Sequence, residues 1–267
     1  MDRKLVLVSG YYGFDNLGDE AILEELISEL KRLVSADDIM ILSANPERTA
    51  SRYGVRAMQR KDFGTLWTML SQARLFVSGG GGLFQNTRTV GSIMFYGLQI
   101  LMAKAHQTPV LIYAQGIGPL NGPLAQNLTK QVFAQADKIC VRDDASMKIL
   151  ADWGINGTRS SDPVWNLEPQ APPDAVLRQI ENIPAKTLVG LSLRPSPALT
   201  DEHLAKLVDG LLAILSNDAV LVLLPLQEEQ DLPVLQTFDR LWAEKGRRSI
   251  LIDPKLIERL SQWGGLV

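Results

Sequence analysis

The sequence predicts an α/β protein with parallel sheets that helices cover on both faces. Strand-like and helix-like segments alternate along the whole chain, which is the order that βαβ units produce. Several strand-like segments are short, continuously apolar runs, as expected of strands buried on both faces. Glycine-rich polar segments follow these strands, at the point where open α/β sheets bind ligands. The length of 267 residues favours one to two domains.

Residues 1–166 contain the first set of alternating segments. Apolar residues at helical spacing, among them Ile22, Leu23 and Leu26, predict the first helix. The predicted strands are 4–9, 39–43, 75–78, 110–114 and 138–141. The predicted helices are 20–33, one opened by Asn45-Pro46-Glu47, 65–73, 92–105, 124–136 and 144–153, the last stopped by Gly154.

A proline-rich stretch separates this set from a second one. Five prolines fall between residues 163 and 184, so we predict a first domain over 1–166, a linker over 167–185 and a second domain over 186–267. The second domain should hold strands 188–193, 219–224 and 249–252. Its helices should be 201–215, 232–245 and one that begins at Pro254. Leu266-Val267 resembles the start of another strand, so we expect this second domain to be incomplete.

Composition excludes several classes of function. The net charge is −3 without a basic block, so we expect no nucleic-acid partner. Cys140 is the only cysteine, which excludes an internal disulfide, and with two histidines it makes a His/Cys metal site implausible. Residues 92–105 are apolar but too short and too mixed to cross a bilayer. We therefore predict a cytoplasmic protein without a transmembrane segment, and peripheral association with the inner face of the membrane stays open.

The segment from Gly10 to Leu23 is the first candidate site. Its glycines, Gly10, Gly13 and Gly18, fit neither G-x-G-x-x-G nor the P-loop pattern, and Asp19 and Glu20 would repel a phosphate. Two interpretations remain. The acids could only complement the helix dipole, or a polar ligand such as a sugar could be held by Asn16, Asp19 and loop amides. We favour the second.

Three further polar segments follow strands and supply more candidates. Four consecutive glycines at 79–82 are costly to order, so we expect close backbone approach to a ligand or to another strand, or else a tight strand-to-helix turn. The candidate ligand-binding residues in these segments are Gly80, Gly81, Gln85, Gln115, Gly116 and Arg142. Asp143 or Asp144 could serve only as a helix cap. Because parallel strands end at one edge of a sheet, we expect the segments to gather there.

One arginine of the second half is also a candidate. Arg194 comes just after a predicted strand, where it could bind an anion at a cleft between the domains or could simply be a solvated loop residue. His106 and His203 are assigned no role.

Taken together, several motifs resemble the polysaccharide pyruvyl transferase family, and within it the CsaB-like branch. The motifs are residues 10–23, Ser78-Gly-Gly-Gly-Gly-Leu-Phe-Gln85, Ala114-Gln-Gly-Ile-Gly-Pro119, Val141-Arg-Asp143, Ser161-Asp-Pro163 and Ser192-Leu-Arg194. The resemblance implies two Rossmann-like domains of GT-B type. It also implies transfer of a pyruvyl group from phosphoenolpyruvate to two hydroxyls of a cell-wall saccharide, lipid-linked in this branch, with no metal or nucleotide cofactor.

The resemblance also assigns roles. Arg194 would neutralise the donor, while Asn16, Asp19, Glu20 and Gln85 would place the acceptor, with Asp19 a candidate base. Members of the family continue with an Arg-Leu-His segment that supplies a donor arginine and the catalytic acid. We therefore expect that acid beyond Val267, and no turnover by these 267 residues alone.

Two alternative functions stay open from the sequence. One is a GT-B glycosyltransferase that uses a sugar nucleotide, and the other is a non-catalytic sugar-binding fragment. Asn86 stands where many members of the family have an aspartate, so the sequence leaves its role undefined.

Overall fold

A computed structural model describes residues 3–86, 89–181, 183, 187–257 and 262. The chain divides into two compact units, 1–167 and 168–267. Each unit contains a sheet in which every strand pair is parallel. Alternation of strands and helices in the sequence produces this arrangement, since a parallel pair needs a crossover connection.

The first unit is built on an eight-stranded sheet with helices on both faces. The strand order is β3-β2-β1-β4-β6-β7-β8, and β5 pairs with β6 beyond the end of β4. The strands are β1 Leu5–Ser9, β2 Ile39–Ser43, β3 Arg56–Gln59, β4 Ala73–Ser78, β5 Gly81–Asn86, β6 Val110–Leu120, β7 Lys138–Val141 and β8 Thr158–Arg159. The helices are α1 Leu17–Lys31, α2 Pro46–Tyr53, α3 Phe63–Leu70, α4 Gly91–Ala105, α5 Pro123–Phe133 and α6 Asp144–Trp153.

Two apolar clusters sandwich this sheet. Leu7, Phe76 and Ile112 face α3 to α6, whereas Val8 and Ile41 pack with α1 on the other face. These strands are apolar on both faces, as the continuous apolar runs predicted.

The glycine segment at 79–82 leads into a strand rather than forming a tight turn into a helix. After β4, the chain passes through Gly79 and Gly80 and continues as β5 alongside the second half of β6. A side chain at Gly80 would lie 3.1 Å from the carbonyl oxygen of Ala114 in β6. Residues 115–119 were expected to follow the strand predicted over 110–114, but they continue it as part of β6. Close approach to another strand is therefore what the glycines provide here.

The remaining differences in the first unit concern the ends of helices and two short edge strands. The first helix begins at Leu17 and not at residue 20, because the Asn16 side chain accepts from the amides of Gly18 and Asp19. Asp143, one of the two aspartates considered as a helix cap, caps α6 by accepting from the amide of Ser146. Strands β3 and β8 were not predicted, and both are short and lie at the two edges of the sheet.

The second unit has a three-stranded sheet in the order β11-β10-β9. Its elements are α7 Asp174–Glu181, β9 Thr187–Leu191, α8 Asp201–Ile214, β10 Ala219–Leu223, α9 Glu228–Glu244 and β11 Ser249–Leu251. The helix predicted from Pro254 is a 3-10 turn through Leu256. The predicted continuation of this helix and the predicted strand start at Leu266-Val267 fall on residues 258–261 and 263–267, which lie outside the described residues.

Candidate functional site

A polar cavity of about 250 Å³ lies at the carboxyl edge of the first sheet. It is lined by Tyr11, Asn16, Asp19, Gly82, Leu83, Gln85, Ser92 and Tyr96. The residues come from the segment after β1, the start of α1, β5 and the first turns of α4. Neighbouring parallel strands bring them together, since Ser9 of β1 pairs with Ser78 at the end of β4. This is the edge at which open α/β sheets bind ligands.

The start of α1 supplies two predicted residues to this cavity. The Oδ1 atom of Asn16 is engaged in the helix cap, at 3.1 Å from the amide nitrogen of Gly18. Asp19 sits in the first turn of the helix and is half-buried. A side chain added at Gly81 would lie 2.9 Å from Oδ1 of Asp19, so the glycine lets β5 pass close to this carboxylate. Gly81 also has a φ of +97°, which favours glycine.

Glu20 has a different role from the predicted one. Its side chain is buried, Oε1 accepts from the amide of Gly13 at 2.7 Å, and Oε2 accepts from the hydroxyl of Tyr53 at 2.8 Å. Both oxygens are therefore engaged in tying the loop after β1 to α2. Gly13 has a φ of +80°, and a side chain there would meet Oγ of Ser43, so it shapes the loop rather than lining the cavity. Glu20 therefore supports the loop after β1 and is not among the residues that line the cavity.

Gln115, Gly116 and Arg142 lie behind the site rather than in the cavity. Gln115 is fully buried, and its amide donates to the carbonyl oxygens of Gly81 and Gly116. A side chain at Gly116 would lie 2.9 Å from Nε of Arg142, and the Arg142 guanidinium pairs with Asp162 at 2.8 Å. Gln115 thus holds β5 against β6, which supports the cavity wall.

Tyr96 and Ser92 were not predicted, although α4 brings both to the cavity. Oγ of Ser92 donates to the carbonyl oxygen of Leu83 at 2.7 Å and fastens the first turn of α4 to β5. The hydroxyl of Tyr96 accepts from Nη2 of Arg60 at 2.9 Å. Burial raises the pKa of Tyr96 to about 12, although the Arg60 charge opposes this shift, so the hydroxyl stays protonated at neutral pH.

Arg60 joins the two sides of the cavity from beneath. Its side chain is buried, and its guanidinium carbon lies 4.9 Å from the ring centre of Phe14 and 4.5 Å from that of Phe95. The rings of Tyr11 and Phe14 stack at 4.2 Å between centres. These cation–π contacts link the segment after β1 to α4. No local pattern in the sequence signals this cluster, because its members come from three separate segments.

Two further predicted positions have defined surroundings. Asn86 exchanges hydrogen bonds with Asn121, whose amide nitrogen lies 2.6 Å from Oδ1 of Asn86, so it fixes the end of β5. Arg194 belongs to the second unit, is exposed, and donates through Nη2 to the side chains of Gln227 at 2.7 Å and Gln230 at 2.8 Å.

Within the described ranges, the cavity and its surroundings suit a small polar ligand. Its carboxylate, amide and hydroxyl groups can exchange hydrogen bonds with such a ligand. The described residues hold no group of three or more His, Cys, Asp or Glu side chains placed to bind a metal. Among the helices that the structure describes, none is long and apolar enough to cross a bilayer.

Solved structures confirm the predicted fold class. The chain is similar to UDP-N-acetylglucosamine 2-epimerase from Rickettsia bellii, with 12% identity, a TM-score of 0.52, and coverage of 98% of this chain and 71% of that one. It is also similar to MnaA of S. aureus in a co-structure with UDP, with 12% identity, a TM-score of 0.59 and the same coverage. The chain therefore shares the α/β fold, with parallel sheets and helices on both faces, that these two structures have.

The family follows from the sequence itself. The profile of the polysaccharide pyruvyl transferase family matches residues 16–263, and the chain belongs to that family. It is thus a transferase, and the family implies a saccharide acceptor. Among curated proteins, none shows significant sequence similarity to this chain.

Proposed function

We propose that the protein transfers a pyruvyl group from phosphoenolpyruvate to two hydroxyls of a saccharide, which binds in the cavity at the edge of the first sheet. The observation that carries the proposal is the lining of that cavity in a member of this family. Asp19, Gln85 and Tyr96 present a carboxylate, an amide and a phenol within one space of about 250 Å³. This volume holds roughly one sugar unit, given that a pocket for a drug-sized ligand measures about 300–1,000 Å³.

Each polar group has a role in acceptor binding. The Asp19 carboxylate would accept a proton from a hydroxyl and so act as the candidate base, while the protonated Tyr96 hydroxyl would donate to a ligand oxygen. Oδ1 of Asn16 is engaged in the helix cap, so its Nδ2 group is the part that would bind a ligand. The exposed ring of Tyr11 would stack on the sugar.

The chemical step balances without a cofactor. An acid protonates the methylene carbon of phosphoenolpyruvate, and the first hydroxyl adds to C2. The second hydroxyl then displaces phosphate, which leaves a cyclic ketal whose carbon carries the methyl and carboxylate groups of pyruvate. Of the two hydroxyl protons, one restores the acid and the other leaves with inorganic phosphate. Arg194 would bind the carboxylate or phosphate of the donor, which a charge-assisted arginine pair suits. We propose that the enzyme uses neither metal nor nucleotide.

The resemblance supports a more specific proposal about the acceptor. In the CsaB-like branch the acceptor is a saccharide of the cell wall carried on a lipid. We propose the same class of acceptor here, and hence an enzyme that acts in the cytoplasm at the inner face of the membrane.

The test is release of phosphate from phosphoenolpyruvate by the full-length protein in the presence of a candidate acceptor. The Asp19→Asn variant should lower kcat by about 10²-fold or more if Asp19 is the base. Asp15→Asn is the matched control, because Asp15 lies in the same segment but pairs with Arg48 at the surface. Equal losses in both variants would contradict the role of Asp19.

Two further arms separate the alternatives. Tyr96→Phe should raise KM for the acceptor with little change in KM for phosphoenolpyruvate. Arg194→Ala should raise KM for phosphoenolpyruvate by more than about tenfold, with little change in KM for the acceptor. Turnover of a sugar nucleotide instead of phosphoenolpyruvate would favour a glycosyltransferase. Saccharide binding without any turnover by the full-length protein would favour a binding protein.

A further inference from the structure

Arg60 places a buried charge beneath the polar cavity. It immediately follows β3, and its amide donates to the carbonyl oxygen of Ser43 at the end of β2, which fixes where the side chain begins. The residue is only 8% exposed, and none of the ion pairs between described residues includes it. A charge is costly to bury unless its surroundings compensate it. Aromatic rings and one phenol oxygen provide that compensation here.

The guanidinium of Arg60 lies among four aromatic rings. Its carbon is 4.5 Å from the ring centre of Phe95, 4.9 Å from that of Phe14, 5.5 Å from that of Tyr96 and 5.7 Å from that of Tyr11. All four distances fall within the range of about 6 Å over which a ring attracts a cation. Two of the rings belong to the segment after β1 and two to α4, so they restrain the guanidinium from two parts of the chain.

The hydroxyl of Tyr96 therefore has a neighbour of fixed position and fixed polarity. Nη2 of Arg60 lies 2.9 Å from this hydroxyl in buried surroundings. A guanidinium only donates hydrogen bonds, whereas a phenol hydroxyl has one proton to donate and two lone pairs to accept with. The contact uses a lone pair of the phenol oxygen, so the proton of Tyr96 cannot point at Arg60. Because Tyr96 also lines the polar cavity, a ligand there can accept this proton in a hydrogen bond.

We propose that Arg60 is a positioning residue, which fixes the Tyr96 hydroxyl as a hydrogen-bond donor into the cavity and so selects a saccharide with an accepting oxygen at that point. This inference rests on the proposed binding of the acceptor saccharide in the cavity. The carboxylate of Asp19, which lines the same cavity, only accepts hydrogen bonds. A pair of saccharide hydroxyls fits this polarity, since one can donate to Asp19 while the oxygen of the other accepts from Tyr96.

Fluorine NMR tests the coupling of Arg60 to Tyr96 without any ligand. The chain has five tyrosines, so labelling with 3-fluorotyrosine gives five resonances, and the Tyr96→Phe variant identifies that of Tyr96. The Arg60 charge favours the ionised phenol, whereas Asp19 and Tyr11 disfavour it. Arg60→Met should therefore make the Tyr96 phenol about tenfold less acidic or more, which raises its pKa. An unchanged titration of Tyr96 in a folded Arg60→Met variant would overturn the proposal.

A matched control and a direct observation complete this test. Arg52→Met is the control, because the Arg52 guanidinium also lies over a tyrosine ring, at 5.4 Å from the centre of Tyr53, and its loss should leave the Tyr96 titration unchanged. Neutron diffraction from crystals of the deuterated wild type locates the hydroxyl deuteron of Tyr96 and needs no variant. We expect the deuteron to point into the cavity. A deuteron that points elsewhere would overturn the proposal, even where Arg60→Met fails to fold.

Kinetics of the full-length protein separate positioning from packing. The probes are the methyl glycosides of glucose, galactose and mannose, with release of phosphate from phosphoenolpyruvate as the signal. Arg60→Met should raise KM for the glycoside about 3- to 10-fold, as Tyr96→Phe does, with KM for phosphoenolpyruvate unchanged. The double variant should be no worse than Tyr96→Phe alone, whereas additive losses would show that Arg60 only packs the site and would overturn the proposal. Absence of turnover of every glycoside by the wild type would count against the proposed function, while the fluorine and neutron measurements would still decide the role of Arg60.

Discussion

Replacing Glu20 by alanine should lower the free energy of unfolding of the first unit by about 3–4 kcal/mol. The carboxylate accepts two hydrogen bonds, from the Gly13 amide and from the Tyr53 hydroxyl. A hydrogen bond to a charged group contributes roughly 1.5–3 kcal/mol. Gly13 is only half-buried, so water can replace the carboxylate at its amide. The loss of both hydrogen bonds should therefore lie in the lower part of the range of about 3–6 kcal/mol that two such bonds span. The buried hydroxyl of Tyr53 also lies 3.3 Å from the backbone carbonyl oxygen of Glu20, which remains as a weaker acceptor in the alanine variant and likewise keeps the loss in that lower part.

Urea unfolding followed by circular dichroism measures this loss, and hydrogen exchange at the amides of α1 assigns it to the first unit. Glu47→Ala is the matched control, because Glu47 occupies the first turn of α2 but is exposed. It should change the free energy of unfolding by no more than about 0.5 kcal/mol. A double-mutant cycle of Glu20→Ala with Tyr53→Phe should give a coupling of about 1 kcal/mol or more. Equal effects of Glu20→Ala and Glu47→Ala would refute the structural role of Glu20.

Two other predictions concern stability. Gly13→Ala should destabilise the first unit by about 1–3 kcal/mol or more, because alanine at a φ of +80° is strained and its side chain would meet Ser43. Gly210→Ala, at a helix position with open space around it, should instead stabilise the protein by up to about 1 kcal/mol. Equal effects of the two variants in urea unfolding would contradict this reasoning. Hydrogen bonds from the Lys104 ammonium and a backbone amide lower the pKa of Asp137. The ionised carboxylate therefore adds to the free energy of unfolding at pH values above its ordinary pKa of 3.8, and this contribution is lost as the pH falls below that value. Asp137→Asn should therefore destabilise at neutral pH and converge with the wild type in acid, whereas a difference independent of pH would exclude the charge as the cause.

The sequence predicted most of the fold because its strongest signals are local. Continuous apolar runs marked the buried strands, and helical spacing marked α1, α4 and α6 within a few residues. The missed strand β3 has the sequence Arg-Ala-Met-Gln and only one buried residue, so its apolar pattern is too weak to recognise. Strand β5 was missed for another reason. Its two leading glycines indicate a loop by propensity, and only pairing with β6 makes them a strand.

The candidate site was predictable only in part. Asn16, Asp19 and Gln85 were named from the sequence and line the cavity. Tyr96 was not, because nothing near it in the chain indicates that Arg60 lies 2.9 Å away. Contacts between distant segments define such residues, and a single sequence does not display them.

The two neighbouring acids of α1 show why residue type alone did not decide their roles. Consecutive residues of an α-helix point about 100° apart, so Asp19 and Glu20 cannot face the same partner. Asp19 faces Gly81 and the cavity, whereas Glu20 faces the Gly13 amide and the Tyr53 hydroxyl. One acid therefore lies where it can meet a ligand, and the other holds the loop that bounds the site. Asp19 and Glu20 variants should accordingly separate in their effects, with Asp19→Asn lowering turnover far more than Glu20→Ala does, and Glu20→Ala lowering the free energy of unfolding more than Asp19→Asn does.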